Sequence, residues 1–396
     1  RNILIGIIFG VVRGVMVGAT VVAPGLKDAR LAPSEAALAG SENLSLDAGE
    51  ETPQPPDAGG AAQSVRPSSA AARNGDVQRL RIISLFPPKL PILGDMAAHI
   101  EQALDATAGG PVSAQIYAPG SLVPAADSFD AVASGTVEAV FSSPGGWAQD
   151  APVLQLFTAV PFGPPADEML AWYYGGGGRE LLQDRMAALG VHAILCGAIP
   201  PEGAGWFMAP IRRVEDFEGL TIRAYGLGAD VLRTLGATVV DLDAGGILAG
   251  FEARTLDGAE YSLPAVDKEI GFHRFARHYY FPVWHQPATF FTLAVNRQTW
   301  DGMSPAAQRA VEGACGDTVR FTLARAQATQ FDALKDLGLI GVDVRRWPAP
   351  VLKALKDAWA RTRRDMAAKD PAFAQAWTSL QRFTRDQGIW RDLSRP

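Results

Sequence analysis

The chemistry-bearing residues concentrate in Gly219-Leu-Thr-Ile-Arg-Ala-Tyr-Gly-Leu-Gly-Ala-Asp-Val-Leu-Arg-Thr-Leu-Gly-Ala-Thr238 and in the following Leu256-Asp-Gly-Ala-Glu-Tyr-Ser-Leu-Pro264. The first segment reads as a short strand ending on Arg223, a glycine turn and a helix. Open α/β sheets bind ligands beyond the carboxyl ends of their strands, which is where Arg223 would stand. The second segment reads as another strand end, carrying Glu260 and Tyr261. An arginine and a carboxylate on facing strand ends form a small polar site able to fix a carboxylate-bearing ligand, because a guanidinium pairs with a carboxylate through two parallel hydrogen bonds. The chain has only five histidines, and they form no Ser-His-Asp, Cys-His or zinc-spaced cluster. The pattern is that of a binder before that of an enzyme.

Two glycine motifs are weaker signals. Gly175-Gly-Gly-Gly178 lacks the Gly-Lys-Ser/Thr ending of a phosphate loop and reads as a helix stop. Gly226-Leu-Gly228 resembles half a dinucleotide fingerprint, but Val231 stands where the third glycine belongs.

The elements that must position the site follow from periodicity. Leu80–Leu85, Val112–Tyr117 and Val137–Phe141 read as strands, with helices at Leu93–Ala108 and Asp127–Ser134 between them. This β-α-β-α-β alternation implies a parallel sheet with helices on its faces. Further strands are expected at Val191–Leu195, Gly205–Met208, Leu220–Ala224, Thr238–Asp241 and Leu256–Tyr261. Ala229–Leu235 and Gly245–Ala253 read as helices of this second β-α-β set. Phe290–Val295 is a strand returning to the first lobe. After Ser304 the pattern becomes almost wholly helical, with long runs at Pro305–Leu337 and Ala349–Ala367.

A chain of 396 residues is too long for one compact core and comfortable for two lobes. Its net charge of −6 argues against a nucleic-acid partner. Cys196 and Cys315 are too few for a disulfide scaffold and lack metal-site spacing; two buried thiols are the favoured reading, a long-range disulfide the minor one. Residues 3–22 are apolar apart from Arg13 and Thr20 and read as a signal peptide or an uncleaved membrane anchor. Residues 24–77, rich in Ala, Gly, Pro and Ser, read as a disordered tether. The expected organisation is a signal or anchor at 1–23, a linker at 24–77, a first lobe at 78–203, a second lobe at 204–284, and a return to the first lobe with C-terminal helices at 285–396.

Six short motifs then occur in a telling order: Leu90-Pro-Ile-Leu-Gly94, Tyr117-Ala-Pro-Gly-Ser-Leu-Val-Pro124, Phe129-Asp-Ala-Val-Ala-Ser-Gly-Thr136, Ala159-Val-Pro-Phe-Gly163, Gly219-Leu-Thr-Ile-Arg223 and Leu293-Ala-Val-Asn296. In order and spacing they resemble the extracytoplasmic solute receptors of TRAP transporters (the DctP-like family), and within them the subgroup for α-keto acids, lactate and related monocarboxylates. The resemblance covers roughly residues 78–387. It implies a two-lobed periplasmic binding protein of α/β class that closes on its ligand. It also implies a sodium-driven membrane permease as partner, a periplasmic location, and a homodimer built through a long C-terminal helix.

The resemblance further assigns residues. Arg223 matches the carboxylate-binding arginine. Glu260 and Tyr261 match a Glu-Trp pair, whose glutamate and backbone carbonyl hold a metal ion that bridges to the ligand. Glu202 falls where the subgroup has a glutamine ligand to that ion. With a substrate carboxylate, Glu202 and Glu260 give three negative charges against Arg223, so a divalent ion balances the site and Ca2+ is expected over Na+; the competing reading is a Glu202 that is protonated or turned to solvent. Tyr261 keeps an aromatic wall and adds a hydroxyl. In Phe141-Ser-Ser-Pro-Gly-Gly-Trp147, the small Pro144, Gly145 and Gly146 should enlarge the pocket for a ligand bulkier than pyruvate. Ser142 and Ser143 could donate hydrogen bonds, and Trp147 is either a shield or plain core. Phe162, Trp206, Trp284 and His285 lie in segments near the cleft in the family, and Asn296 matches a family position but could equally cap a turn.

The leading function is therefore solute reception for TRAP-type monocarboxylate uptake. A membrane-tethered sensor or scavenger of the same fold, and an enzyme on a two-lobed scaffold, are the alternatives.

Overall fold

A computed structural model describes residues 77–106 and 110–394. The N-terminal segment at 1–23 and, except for Val77, the linker at 24–77 lie outside the described residues. The chain begins with β1 (Gln78–Ser84), α1 (Leu93–Asp105), β2 (Val112–Tyr117), α2 (Ser128–Ala133) and β3 (Ala139–Ser142). Next come α3 (Ala166–Gly175), α4 (Gly178–Ala188) and β4 (Val191–Ile199). A second set follows: β5 (Trp206–Phe207), β6 (Thr221–Arg223), α5 (Gly226–Arg233), β7 (Thr238–Val240), α6 (Ala244–Glu252), β8 (Gly258–Ala259), α7 (Pro264–Ile270) and β9 (His278–Phe281). The chain ends with β10 (Thr289–Asn296), α8 (Arg297–Gly302), α9 (Pro305–Leu339), β11 (Asp343–Arg346), α10 (Ala349–Lys369) and α11 (Pro371–Ser394).

These strands form two sheets, one per lobe. The first has the order β2-β1-β3-β10-β4 and the second β11-β9-β5-β8-β6-β7. In the first, β2, β1 and β3 run parallel. β10 returns from the second lobe and inserts between β3 and β4, antiparallel to both. The sheet is thus mixed rather than parallel throughout, because its fourth strand enters from the opposite direction. All eight residues of β10 are buried, as its apolar run requires of a central strand.

Local chemistry sets the helix starts. Ser304 accepts from the Ala307 N–H at 3.2 Å and Pro305 occupies the first turn, so α9 begins at a sharp boundary. Asn296 accepts from the Thr299 N–H at 3.1 Å and caps α8. Gly177, at φ +87°, separates α3 from α4, so the four-glycine run is a helix stop.

The favoured reading of two free thiols is overturned. Cys196 of β4 and Cys315 of α9 form a disulfide across 119 residues of chain. Packing of α9 along β4 brings together two positions that sequence spacing leaves unrelated. Sequence periodicity missed α4, α7, β9, α8, β11 and α11, and gave no bounds for α3. Among the described residues, no helix is long and apolar enough to cross a membrane.

Candidate functional site

Arg223 ends β6 and Glu260 follows β8, its parallel neighbour, in which Ala259 is paired with Arg223. The two side chains meet below the surface, at 8% and 5% exposure. Arg223 Nη1 donates to the Glu260 carbonyl at 2.6 Å and to its Oε1 at 3.2 Å, while Nε donates to the Leu242 carbonyl at 3.0 Å. The guanidinium also lies 5.2 Å from the centre of the Tyr261 ring, within cation–π range. Glu260 Oε1 accepts the Tyr225 N–H at 2.6 Å as well. Burial opposes a charge on Glu260. The Arg223 charge, His285 and the Tyr225 N–H outweigh it and hold the carboxyl below its ordinary pKa.

Glu202 lies in the connection from β4 to β5 and is equally buried. Its Oε1 accepts from Gln286 Nε2 at 3.0 Å and from the Thr289 hydroxyl at 2.5 Å. Burial raises its pKa well above the ordinary value; the Thr289 bond offsets only part of this, and nearby Glu260 and Asp267 raise it further. Its second oxygen, Oε2, has no hydrogen-bond partner among the described residues, and the same holds for Glu260 Oε2 and both ring nitrogens of His285. His285 Nε2 stands 3.3 Å from Glu260 Oε2, without hydrogen-bond alignment. One ligand atom each from Glu202, Glu260 and His285 lies within 4.8 Å of the other two. Unpartnered buried polar atoms are costly, and three residues converging in this way fit a cation held between them.

Two narrow hollows meet at His285 and Gly228. One is lined by Glu260, Trp284, Ala224 and Trp347; the other by Tyr225, Gly145, Thr158 and Gln286. Ser143 reaches the second through its hydroxyl, 3.1 Å from that of Tyr225. Ser142 is buried at the end of β3, its carbonyl accepting from Thr292 Oγ1 at 3.3 Å. The Trp284 ring is edge-on to His285 at 5.1 Å, and Phe162 donates its N–H to the Trp284 carbonyl at 2.6 Å. Trp147 and Trp206 are not brought to the hollows. Trp147 packs on Phe129 with ring centres 4.2 Å apart in the first lobe. Trp206 stacks on Tyr279 at 3.9 Å and donates Nε1 to Asp267 at 2.9 Å, within the second sheet.

Gly145 and Gly146 do not open space as expected. A Cβ on Gly145 would meet the Tyr225 hydroxyl at 2.9 Å, and one on Gly146 would meet the Phe129 ring at 2.1 Å. They admit neighbouring side chains rather than a larger ligand. Sequence reasoning overlooked Tyr225, Gln286 and Thr289, although each lies within four residues of one it selected. It also overlooked Asp267, whose Oδ2 accepts from Trp206 and, at 3.0 Å, from Tyr279.

Two sheets joined by crossing segments, with a buried arginine–carboxylate pair at strand ends, are the arrangement of a solute-binding protein. A family model for bacterial extracellular solute-binding protein, family 7, matches residues 84–370, and the chain belongs to that family. It is 30% identical over 278 residues to a monocarboxylate 2-oxoacid-binding periplasmic protein of Nostoc sp. strain PCC 7120, covering 70% of this chain and 76% of that one. A TRAP transporter solute-binding protein of Bordetella bronchiseptica, solved as a mixed-occupancy dimer with copurified calcium and picolinate, aligns with a TM-score of 0.77 and 28% identity, covering 80% of this chain and 94% of that one. The Pseudoalteromonas atlantica TRAP receptor with sodium and pyruvate has the same TM-score and identity over 80% and 97% of the two chains. That of Colwellia psychrerythraea, with calcium and pyruvate, matches at 0.77 and 28% over 81% and 98%.

Proposed function

We propose that this protein is the extracytoplasmic receptor of a sodium-driven TRAP uptake transporter, and that it binds a small monocarboxylate, an α-keto or α-hydroxy acid, together with a cation. The observation that carries the reading is the buried Arg223 at a strand end, held by Glu260 and Leu242 through Nη1 and Nε. These bonds leave the Nη2 side of the fork for a ligand carboxylate. The relatives known by name to bind 2-oxoacids, pyruvate or picolinate support the ligand class.

Glu202 and Glu260 would hold the cation, with the Tyr261 carbonyl as the further donor that family resemblance implies. When bound, the ion supplies positive charge to the acid's oxygens. Tyr225 and Ser143 would hydrogen-bond the acid, and Trp284 and Phe162 would exclude water. The ligand leaves chemically unchanged. A periplasmic location accords with the Cys196–Cys315 disulfide, since disulfides persist in oxidising compartments. The permease and a homodimer through the C-terminal helix complete the proposal.

Mass spectrometry of small molecules released from natively purified protein tests it. A 2-oxo or 2-hydroxy acid is expected from the wild type and none from Arg223→Ala. Retention of the same acid by that variant overturns the assigned anchor.

A further inference from the structure

We propose that His285 gives an imidazole nitrogen to the cation site beside Glu202 and Glu260, so that the receptor takes a first-row divalent metal ion in preference to Ca2+ or Na+. This rests on the reading that the site holds a cation at all. The three side chains come from separate parts of the chain: the β4–β5 connection, the end of β8 and the segment before β10. They are 3%, 5% and 2% exposed, respectively. Each presents an atom with no hydrogen-bond partner among the described residues. Two donors roughly 2.1 Å from one small ion stand about 3.0–3.5 Å apart at ordinary coordination angles. The 3.3 Å between His285 Nε2 and Glu260 Oε2 falls in that range.

The imidazole is held where it is. Gly228 packs so closely that a Cβ there would lie 2.9 Å from the His285 Cβ, and the Trp284 ring stands edge-on to it. The base of the side chain is therefore packed directly against α5. Nδ1 is left for a bound acid or water. Two carboxylates and a neutral imidazole carry a charge that a divalent ion cancels. All-oxygen sites suit calcium, whereas imidazole suits zinc and its first-row neighbours. The expectation of Ca2+ from charge counting alone is thereby shifted by one nitrogen donor.

The test is calorimetric titration of chelator-stripped protein with Zn2+, Mn2+ and Ca2+ in the presence of pyruvate, using wild type and His285→Gln. We expect Zn2+ to bind more tightly than Ca2+, and the substitution to weaken Zn2+ roughly 10–100-fold, the scale on which ligand-shell changes act, while leaving Ca2+ unaffected. Pulsed electron paramagnetic resonance on Mn2+-loaded wild type, which needs no variant, should detect a directly bound imidazole nitrogen. An all-oxygen spectrum, or equal loss of Zn2+ and Ca2+ in the variant, overturns the role of His285 while leaving a cation site standing. Pyruvate binding with no cation of any kind overturns the cation reading itself, and this inference with it.

Discussion

Arg223 holds Glu260 and Leu242 in the fold, and in the proposed reading it also grips the ligand. Removing its charge leaves Glu260 buried with one partner fewer, so binding and stability must be measured together. With acid binding followed by calorimetry, Arg223→Gln should weaken pyruvate by about 2–5 kcal/mol, roughly 30-fold to several-thousand-fold. Arg223→Lys keeps the charge but loses the planar fork and should fall between the two. Equal binding by Lys and Arg proteins would exclude a bidentate contact.

Asp267 offers a separate test at the same scale. Burial pushes its pKa to about 7, against hydrogen bonds from Trp206, Tyr279 and the Ser262 N–H. The folded-state value lies above the ordinary 3.8, so the folded form binds the proton more tightly than the unfolded chain. Its contribution to stability is fully present below about pH 3.8 and lost as pH rises through about 7. The loss is on the order of 4 kcal/mol, at about 1.4 kcal/mol per pKa unit. Asp267→Asn should flatten the fall in melting temperature between pH 4 and 8; an unchanged slope would assign that pH dependence elsewhere.

At the scale of elements, the opening of α5 matters most. Gly226, at φ +58°, starts the helix, and Gly228 one turn-step later sits against His285. Alanine at an exposed helical glycine usually gains up to ~1 kcal/mol, but overpacking costs about 1–3 kcal/mol. Since the Cβ of Gly228→Ala would press on the rigid base of a side chain, the second effect should win. The variant should melt at a lower temperature and bind pyruvate more weakly; a higher melting point with unchanged affinity would show that His285 can yield. These same glycines explain what periodicity could and could not reveal. The strand before Arg223 was legible because Leu-Thr-Ile-Arg alternates and ends at a turn. The first turn of α5 was hidden because Gly-Leu-Gly reads as a loop. β8 and β5 are two residues long, shorter than the strands the pattern leads one to expect at Leu256–Tyr261 and Gly205–Met208, but the strand-end placement of Glu260 beside Arg223 was legible all the same. α11 was missed because Pro371, which follows Asp370 and looks like a stop, occupies its first turn, and its buried face is limited to Phe373, Ala376 and Leu380. The disulfide and the Glu202–Thr289–Gln286 bonds depend on pairs far apart in sequence, which no local period encodes.

At the scale of the whole molecule, the site draws on both sheets. Ser143 follows β3, Tyr225 follows β6, and Glu202 and His285 lie on segments passing between them. A ligand and a cation that bind only the folded form raise stability by mass action, about 2.7 kcal/mol at a hundredfold excess over Kd. Thermal melting should therefore rise with pyruvate when a divalent ion is present, and a chelator should abolish that rise. A pyruvate-dependent shift that survives the chelator would mean the acid is gripped by Arg223 and its neighbours alone.

The helix α9 gives this arrangement a further mechanical character. At 35 residues it is about 50 Å long at 1.5 Å per residue. It is bolted to β4 through Cys315, and Lys268 of α7 is 2.5 Å from Asp336 near its far end. A spar clamped to one jaw and touching the other permits folding about its length more readily than sliding or splaying across it. The gape of this receptor should accordingly be a single-axis movement, with the helix serving as its spine.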